Sequence, residues 1–397
     1  MQRRSLAFFP SGTAVGVMEQ LVLLLLVAAE ASCRTRGGRC ELGCDCSGDL
    51  KFAICSRARF TQLPRRVAAG TELLDLSDNH ISAVPARSFG ESRRLRVLLL
   101  QNNSISAVAD GGFSRLEFLQ KLDLSWNRIA ALTEGFSAGL ASLRELRLAH
   151  NRLAKLDGQS FLHLDGLQRL NLTGNAIHAI QVRSFSSMSA LRQLHLEDNR
   201  LASLRSGVFS MLRSLEVLNL ARNRIGEMEE SVFKPLVSMT LLDLAGNELS
   251  TLNFKTFQSV HTYSTHILLE GNPWNCECDM QRLFRKLRSI QRLFLDDYHN
   301  LTCKAPPVLE DHRLMDVDAE LCIAETVTVL VITVTVVITL LAAMLMGERK
   351  RKKKKRASTG HSRESCRMSR TTEAGRRVTV HCFPLLFVSV VLSAFFS

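Results

Sequence analysis

The sequence predicts an α/β solenoid, disulfide-capped at both ends and followed by one transmembrane helix. Three observations carry this prediction: a strict 24-residue repeat, two cysteine clusters that bracket it, and an uncharged apolar segment stopped by a run of basic residues. At 397 residues and 46% hydrophobic, the chain has room for one large domain or two modest ones. Its formal charge of +13 is local, because residues 348–377 hold 13 Lys/Arg against three Glu, a net +10. No separate basic domain is implied.

Taken in chain order, Arg3 and Arg4 give a positive start and LVLLLLVAA (21–29) is an apolar core too short to span a bilayer. AEAS then offers small residues for cleavage. Residues 1–31 read as a secretory signal, with Met18 as an alternative start. The secretory lumen is oxidising, and that decides the chemistry of the cysteines. Close spacings such as Cys44-x-Cys46 suit zinc in a cytosolic protein, but here they read as disulfides. Nine cysteines precede the apolar segment, an odd number, so Cys33 leaves with the signal or stays unpaired.

Between the clusters, LLDLSDNHI, VLLLQNNSI, KLDLSWNRI, ELRLAHNRL, RLNLTGNAI, QLHLEDNRL, VLNLARNRI and LLDLAGNEL place Asn79, Asn103, Asn127, Asn151, Asn175, Asn199, Asn223 and Asn247 at intervals of 24. Apolar residues recur three and five positions before each Asn and two and five after. A Phe follows ten after it in seven copies. In the remaining copy Phe136 comes one residue early while Leu140 keeps the register, so a local adjustment is expected there. In L-x-L two leucines point to one side of a short strand, and no coil can bury its apolar face without neighbours. An Asn side chain both donates and accepts, so a column of them can satisfy buried backbone groups of adjacent coils.

From about residue 40 to 322 this pattern resembles the leucine-rich repeat family. The resemblance implies a horseshoe with a concave parallel sheet over residues 67–271 in eight or nine copies. Stack ends need caps, and the cysteine clusters lie where caps belong. Residues 32–66 resemble the N-terminal flanking module of extracellular leucine-rich repeat proteins, and NPWNCEC within 272–322 resembles the C-terminal one. Spacing alone leaves three connectivities per cluster. The resemblance implies Cys40–Cys46, Cys44–Cys55, Cys276–Cys303 and Cys278–Cys322, with Trp274 covering the last coil.

After Cys322, the 22 residues Thr326 to Gly347 carry no charge and make a helix of about 33 Å at ~1.5 Å per residue, long enough to cross the hydrocarbon. The predicted span is 324–347. Arg349 to Arg356 follow as eight consecutive basic residues, which marks the cytoplasmic side and argues against a nucleic-acid role. The same cluster attracts anionic inner-leaflet lipids. Thr335, Thr339, Ala343 and Gly347 form a small-residue stripe at i+4 spacing, suited either to lipid or to another membrane protein. The tail, 348–397, ends in an apolar stretch from Val378 to Ser397 that is able to enter the inner leaflet. Cys366 and Cys382 are candidate acylation sites.

No catalytic constellation is present: His150 and His195 lie on expected strands without a Ser or Cys nucleophile in register. No enzyme activity, cofactor or metal is expected. The expected concave face instead offers solvent-facing positions four before each ladder Asn: Asp75, Leu99, Asp123, Arg147, Asn171, His195, Asn219 and Asp243. Lys121, Trp126, Glu145, His150, Arg169, Glu197 and Arg222 neighbour them. Trp126 and Arg147 are the anchor candidates, since those residue types dominate interface energetics. Sequons fall at Asn102, Asn171 and Asn300, and a sugar on Asn171 would obstruct the middle of the face.

Two functions remain open. The first is a plasma-membrane, single-pass type I protein whose extracellular repeats bind an extracellular or cell-surface protein. In this it is similar to adhesion and synaptic-organising leucine-rich repeat proteins and to trophoblast glycoprotein. The second is an auxiliary subunit of an ion channel or receptor acting through its membrane helix and basic foot, as the similarity to potassium-channel gamma subunits implies.

Overall fold

The computed structural model describes residues 38–39, 44–47, 49, 51–65, 67–159, 161–317 and 319–359. The expected signal, Cys33, Cys40, Cys366, Cys382 and the apolar tail lie outside the described residues. Two compact units are present, Met1–Ile323 and Ala324–Ser397.

The first unit is a parallel-sheet solenoid. Three-residue strands, among them Leu73–Asp75, Val97–Leu99, Lys121–Asp123, Glu145–Arg147 and Arg169–Asn171, pair side by side in sequence order. Register is locked to the repeat: Leu98, Leu122, Leu146, Leu170 and Leu194 pair in line. They are wholly buried, while their strand neighbours alternate to the other face. The sheet has 13 strands because both caps add to it. Gly38–Arg39, Asp45–Cys46 and Phe52–Ile54 extend one edge and Leu293–Leu295 the other.

On the far side of the core the phenylalanines pack coil to coil. Ring centroids are 6.0 Å apart for Phe89–Phe113 and 6.4 Å for both Phe161–Phe185 and Phe185–Phe209. Adjacent strands lie only ~4.8 Å apart. Wider spacing on the aromatic side bends the stack towards the strands, which makes the sheet its concave face. The irregular coil behaves as its sequence requires. Phe136 is fully buried but meets Phe113 edge-on at 87°, where Phe89–Phe113, Phe161–Phe185 and Phe185–Phe209 stack at 13–16° and Phe233–Phe257 is tilted at 46°. Gly139, at φ +87°, lies against the backbone of Ser114, where a Cβ would sit 2.6 Å from its Cα.

The ladder runs the length of the stack. Asn151 Nδ2 donates to Leu124 O of the previous coil at 2.9 Å and to Leu148 O of its own at 3.1 Å. Its Oδ1 accepts Ile129 N–H at 3.0 Å. Asn79, Asn103, Asn127, Asn175, Asn199, Asn223 and Asn247 repeat this arrangement. A ninth rung, Asn272, escaped the sequence count: it accepts Leu249 N–H and donates to Leu244 O and Leu269 O. The helical turn Phe254–Gln258 lengthens the last spacing to 25, although ILLEGN retains the apolar signature.

In the caps, Cys44 is bonded to Cys55 and Cys276 to Cys303. Cys46 and Cys278 are also in disulfides. The side chain of Cys322 lies outside the described residues. Trp274 is fully buried and meets Phe284 edge-on at 5.6 Å. Phe284 belongs to the helix Cys278–Arg288, whose apolar face seals the last coil.

A helix, Ala319–Thr359, runs into the second unit, and the most apolar 18-residue window within Thr328–Lys353 has mean hydropathy 2.8. It is long and apolar enough to cross a membrane. Thr335 and Thr339 each donate a hydroxyl to a carbonyl three residues back, at 2.8 Å. Their polar groups are satisfied within the helix.

Candidate recognition face

The concave sheet brings charges 24 residues apart into direct contact. Glu145 lies between Lys121 and Arg169 on adjacent strands, with Arg147 beside it. Its Oε1 is 3.2 Å from Lys121 Nζ and 2.6 Å from Arg147 Nε, and its Oε2 is 2.5 Å from Arg169 Nη2. Arg147 Nη1 also stands 3.9 Å from Asp123 Oδ2. Asp123, Glu145 and Leu99 were expected to face solvent, yet all three are buried. For the acids the reason is mechanical: the long basic side chains of neighbouring coils lie across them. Burial pushes the Glu145 carboxyl upward, but Lys121, Arg147 and Arg169 outweigh it and hold the group below its ordinary value.

Beside this network the residue just before each ladder Asn adopts a left-handed backbone. Asp78, Asn102, Trp126, His150, Asp198 and Arg222 have φ between 51° and 59°, and Gly174, Gly246 and Gly271 complete the row. Asp, Asn and Gly take this conformation readily, whereas for Trp it costs about 1–2 kcal/mol. Trp126 is nonetheless there and 58% exposed. Its ring lies on that of His150 at 3.8 Å, 23° from parallel. His150 in turn covers Gly174, where a Cβ would sit 2.4 Å from Nδ1. The sequence names Trp126 and His150, but their stacking, with Gly174 beneath, follows from the coil geometry.

His195 lies 3.6 Å from Glu197, which also accepts from Thr173 at 2.9 Å. Arg222 grips Asp198 with two bonds of 2.6 and 2.7 Å. Of the sequon residues, Asn102 and Asn300 are exposed and Asn171 is half-buried on the face. The Oδ1 of Asn171 accepts from the backbone and hydroxyl of Thr173 at 2.9 and 2.6 Å. Among the described residues no group of three His, Cys, Asp or Glu is placed to hold a metal.

At the C-terminal end, burial raises the Asp243 carboxyl and Asp297 adds to the effect. Asp297 is itself raised by burial, although it accepts Leu269 and Glu270 N–H. A carboxyl raised in the folded state favours folding at low pH, and that contribution is lost as pH rises above 3.8 through the folded value. Asn219 occupies the equivalent position one coil earlier and makes the same turn bond, to Ala221 N, that Asp243 makes to Ala245 N. Asp243→Asn should therefore raise the melting temperature at pH 7 by roughly 1–2 °C, with the gain vanishing below about pH 3.5. Thermal melts at the two pH values check this, and a loss at pH 7 would contradict it.

The capped parallel stack with its asparagine ladder defines a leucine-rich repeat solenoid. The leucine rich repeat family profile matches residues 70–129, 141–201 and 189–249. Leucine-rich repeat-containing protein 3B of Danio rerio is 38% identical over 84 residues, which is 21% of this chain and 32% of that relative's length. Among solved structures, human 5T4 (trophoblast glycoprotein) superposes with a TM-score of 0.54 at 24% identity, over 71% of this chain and 98% of that one. A chain of the octameric complex of Latrophilin 3, Unc5D and FLRT2 gives 0.56 at 22%, over 69% and 97%. At these identities the likeness is one of fold.

Proposed function

We propose that the chain is a single-pass type I protein of the plasma membrane whose extracellular repeats bind a protein on or outside cells. The observation that carries this reading is the exposed Trp126, held at a strained position on His150 beside the Lys121–Glu145–Arg147–Arg169 network. A fixed aromatic next to an ordered charge pattern is what a protein interface uses as an anchor. Assembly of the structurally similar FLRT2 repeats with Latrophilin 3 and Unc5D supports a protein partner.

A second reading, as an auxiliary subunit of an ion channel or receptor, is favoured by the membrane helix. With the Thr335 and Thr339 hydroxyls satisfied internally, the stripe through Ala343 and Gly347 can approach another helix closely. The basic foot would meanwhile hold anionic inner-leaflet lipids.

One experiment separates the two. Cells displaying the full chain are tested for saturable adhesion to panels of other cells, together with Trp126→Ala/Arg147→Ala and Thr339→Leu/Ala343→Leu variants. Adhesion lost only in the first variant supports recognition by the repeats. No adhesion, together with a channel or receptor that co-purifies with wild type and not with the second variant, supports the auxiliary role. If the face variant adheres like wild type, the assignment of the site fails.

A further inference from the structure

A different surface carries a row of arginines that the concave face does not use. The residue after each ladder Asn is tied by its backbone to the preceding coil. Arg128 N donates to Ile105 O at 2.8 Å, Arg152 N to Ile129 O at 2.8 Å, Arg200 N to Ile177 O at 2.9 Å and Arg224 N to Leu201 O at 2.9 Å. These bonds fix the four residues on successive rungs, with Ala176 as the single gap. All four are exposed, and among the described residues their side chains have no ion-pair or hydrogen-bond partner. The charged residues of the concave face are, by contrast, largely paired with one another.

From Arg128 to Arg224 the row spans about 19 Å, four coils at ~4.8 Å each. Glu248 closes it at one end. The row has no large exposed apolar group of its own. Ile129, Leu153, Leu201 and Ile225, which follow the arginines, are buried, and Ala130, Ala154, Ala202 and Gly226 come next. A protein partner needs apolar or aromatic anchors in the contact, whereas a linear polyanion needs only charge repeated along one line. Arginine is suited to planar, multiply bonded oxyanions.

We propose that Arg128, Arg152, Arg200 and Arg224 form a docking row for a sulfated polysaccharide chain. Cations held unpaired on a rigid scaffold cost little rearrangement when they meet the anion. Binding then draws on release of the polymer's condensed counterions and weakens steeply with salt.

The test uses the full chain in detergent micelles, with the basic residues of 349–356 replaced by Gln in every sample so that the tail cannot bind the polyanion. Heparin is the probe. R128Q/R152Q/R200Q/R224Q is compared with a control of equal charge, R93Q/R94Q/R183Q/R213Q, which removes exposed arginines outside the row. The row variant should bind a heparin oligosaccharide about tenfold or more weakly and elute from immobilised heparin at lower salt. The control should stay near the parent, and desulfated heparin should bind neither. Equal losses in both variants, or unchanged elution of the row variant, overturn the proposal. So does row-dependent binding to phosphatidylserine vesicles without binding to heparin. Circular dichroism melts monitor folding, and the single substitutions R152Q and R200Q serve if the fourfold variant is unstable.

Discussion

Asn151→Leu is expected to lower the stability of the repeat stack by roughly 3–4 kcal/mol, a fall in melting temperature on the order of 10 °C. The four bonds lost are not equivalent, and the one to Ala149 O matters little because that carbonyl also accepts Trp126 N–H. Leu124 O also accepts from Asn127, and Leu148 O also accepts from Asn175, so each carbonyl keeps one partner. Ile129 N–H has only the Asn151 oxygen and is left buried and unbonded. Leucine matches Asn in the branching and number of its side-chain heavy atoms but places apolar carbon against that donor. A melting temperature within error of wild type would show that the ladder is not the element holding the coils.

Glu145→Gln has the second large effect, and its pH dependence separates it from simple loss of packing. Glu145 is buried with Lys121, Arg147 and Arg169 around it, and their influence keeps its folded pKa below the ordinary 4.5. A carboxyl depressed by folding contributes stability above its unfolded value, and that contribution is lost as pH falls through the folded one. Gln keeps the shape and removes the charge, leaving three cations in close quarters. The variant should be less stable at pH 7 by about 3 kcal/mol, as for a broken buried ion pair. The gap should narrow as the pH falls from 4.5 through the lower folded value, where folded wild type loses its own carboxylate. Denaturant melts at pH 7 and pH 3.5 check this, and a gap of constant size would point to packing instead.

The repeat was legible in the sequence because its period is strict: one Asn every 24 residues dictates one coil. Reading failed where a local insertion broke the count, as at Asn272. It also failed where residue type misled. Asp123 and Glu145 look like solvated strand positions, and their burial depends on side chains one full coil away. The spacing 121, 145, 169 does contain that contact, but only once each repeat is treated as one rung of a sheet. The cost of placing Trp126 in a left-handed turn is likewise invisible until the coil geometry is known. The row of Asp, Asn and Gly before the ladder residues is its trace in composition.

Flexure follows from the irregular coil. Phenylalanine contacts group as Phe89–Phe113–Phe136, then Phe161–Phe185–Phe209, then Phe233–Phe257. The first division falls at Phe136, where the ring turns edge-on and Gly139 takes its unusual backbone. The Lys121–Glu145–Arg169 bridge crosses the same level on the opposite side of the core. A solenoid loaded in bending would meet a break in its aromatic stacking at this seam, in the manner of a leaf spring with one thin leaf, with the ionic bridge as its inner strap. The Trp126–His150 stack sits on that strap side, so bending there would shift the aromatic pair together with the charge network beside it.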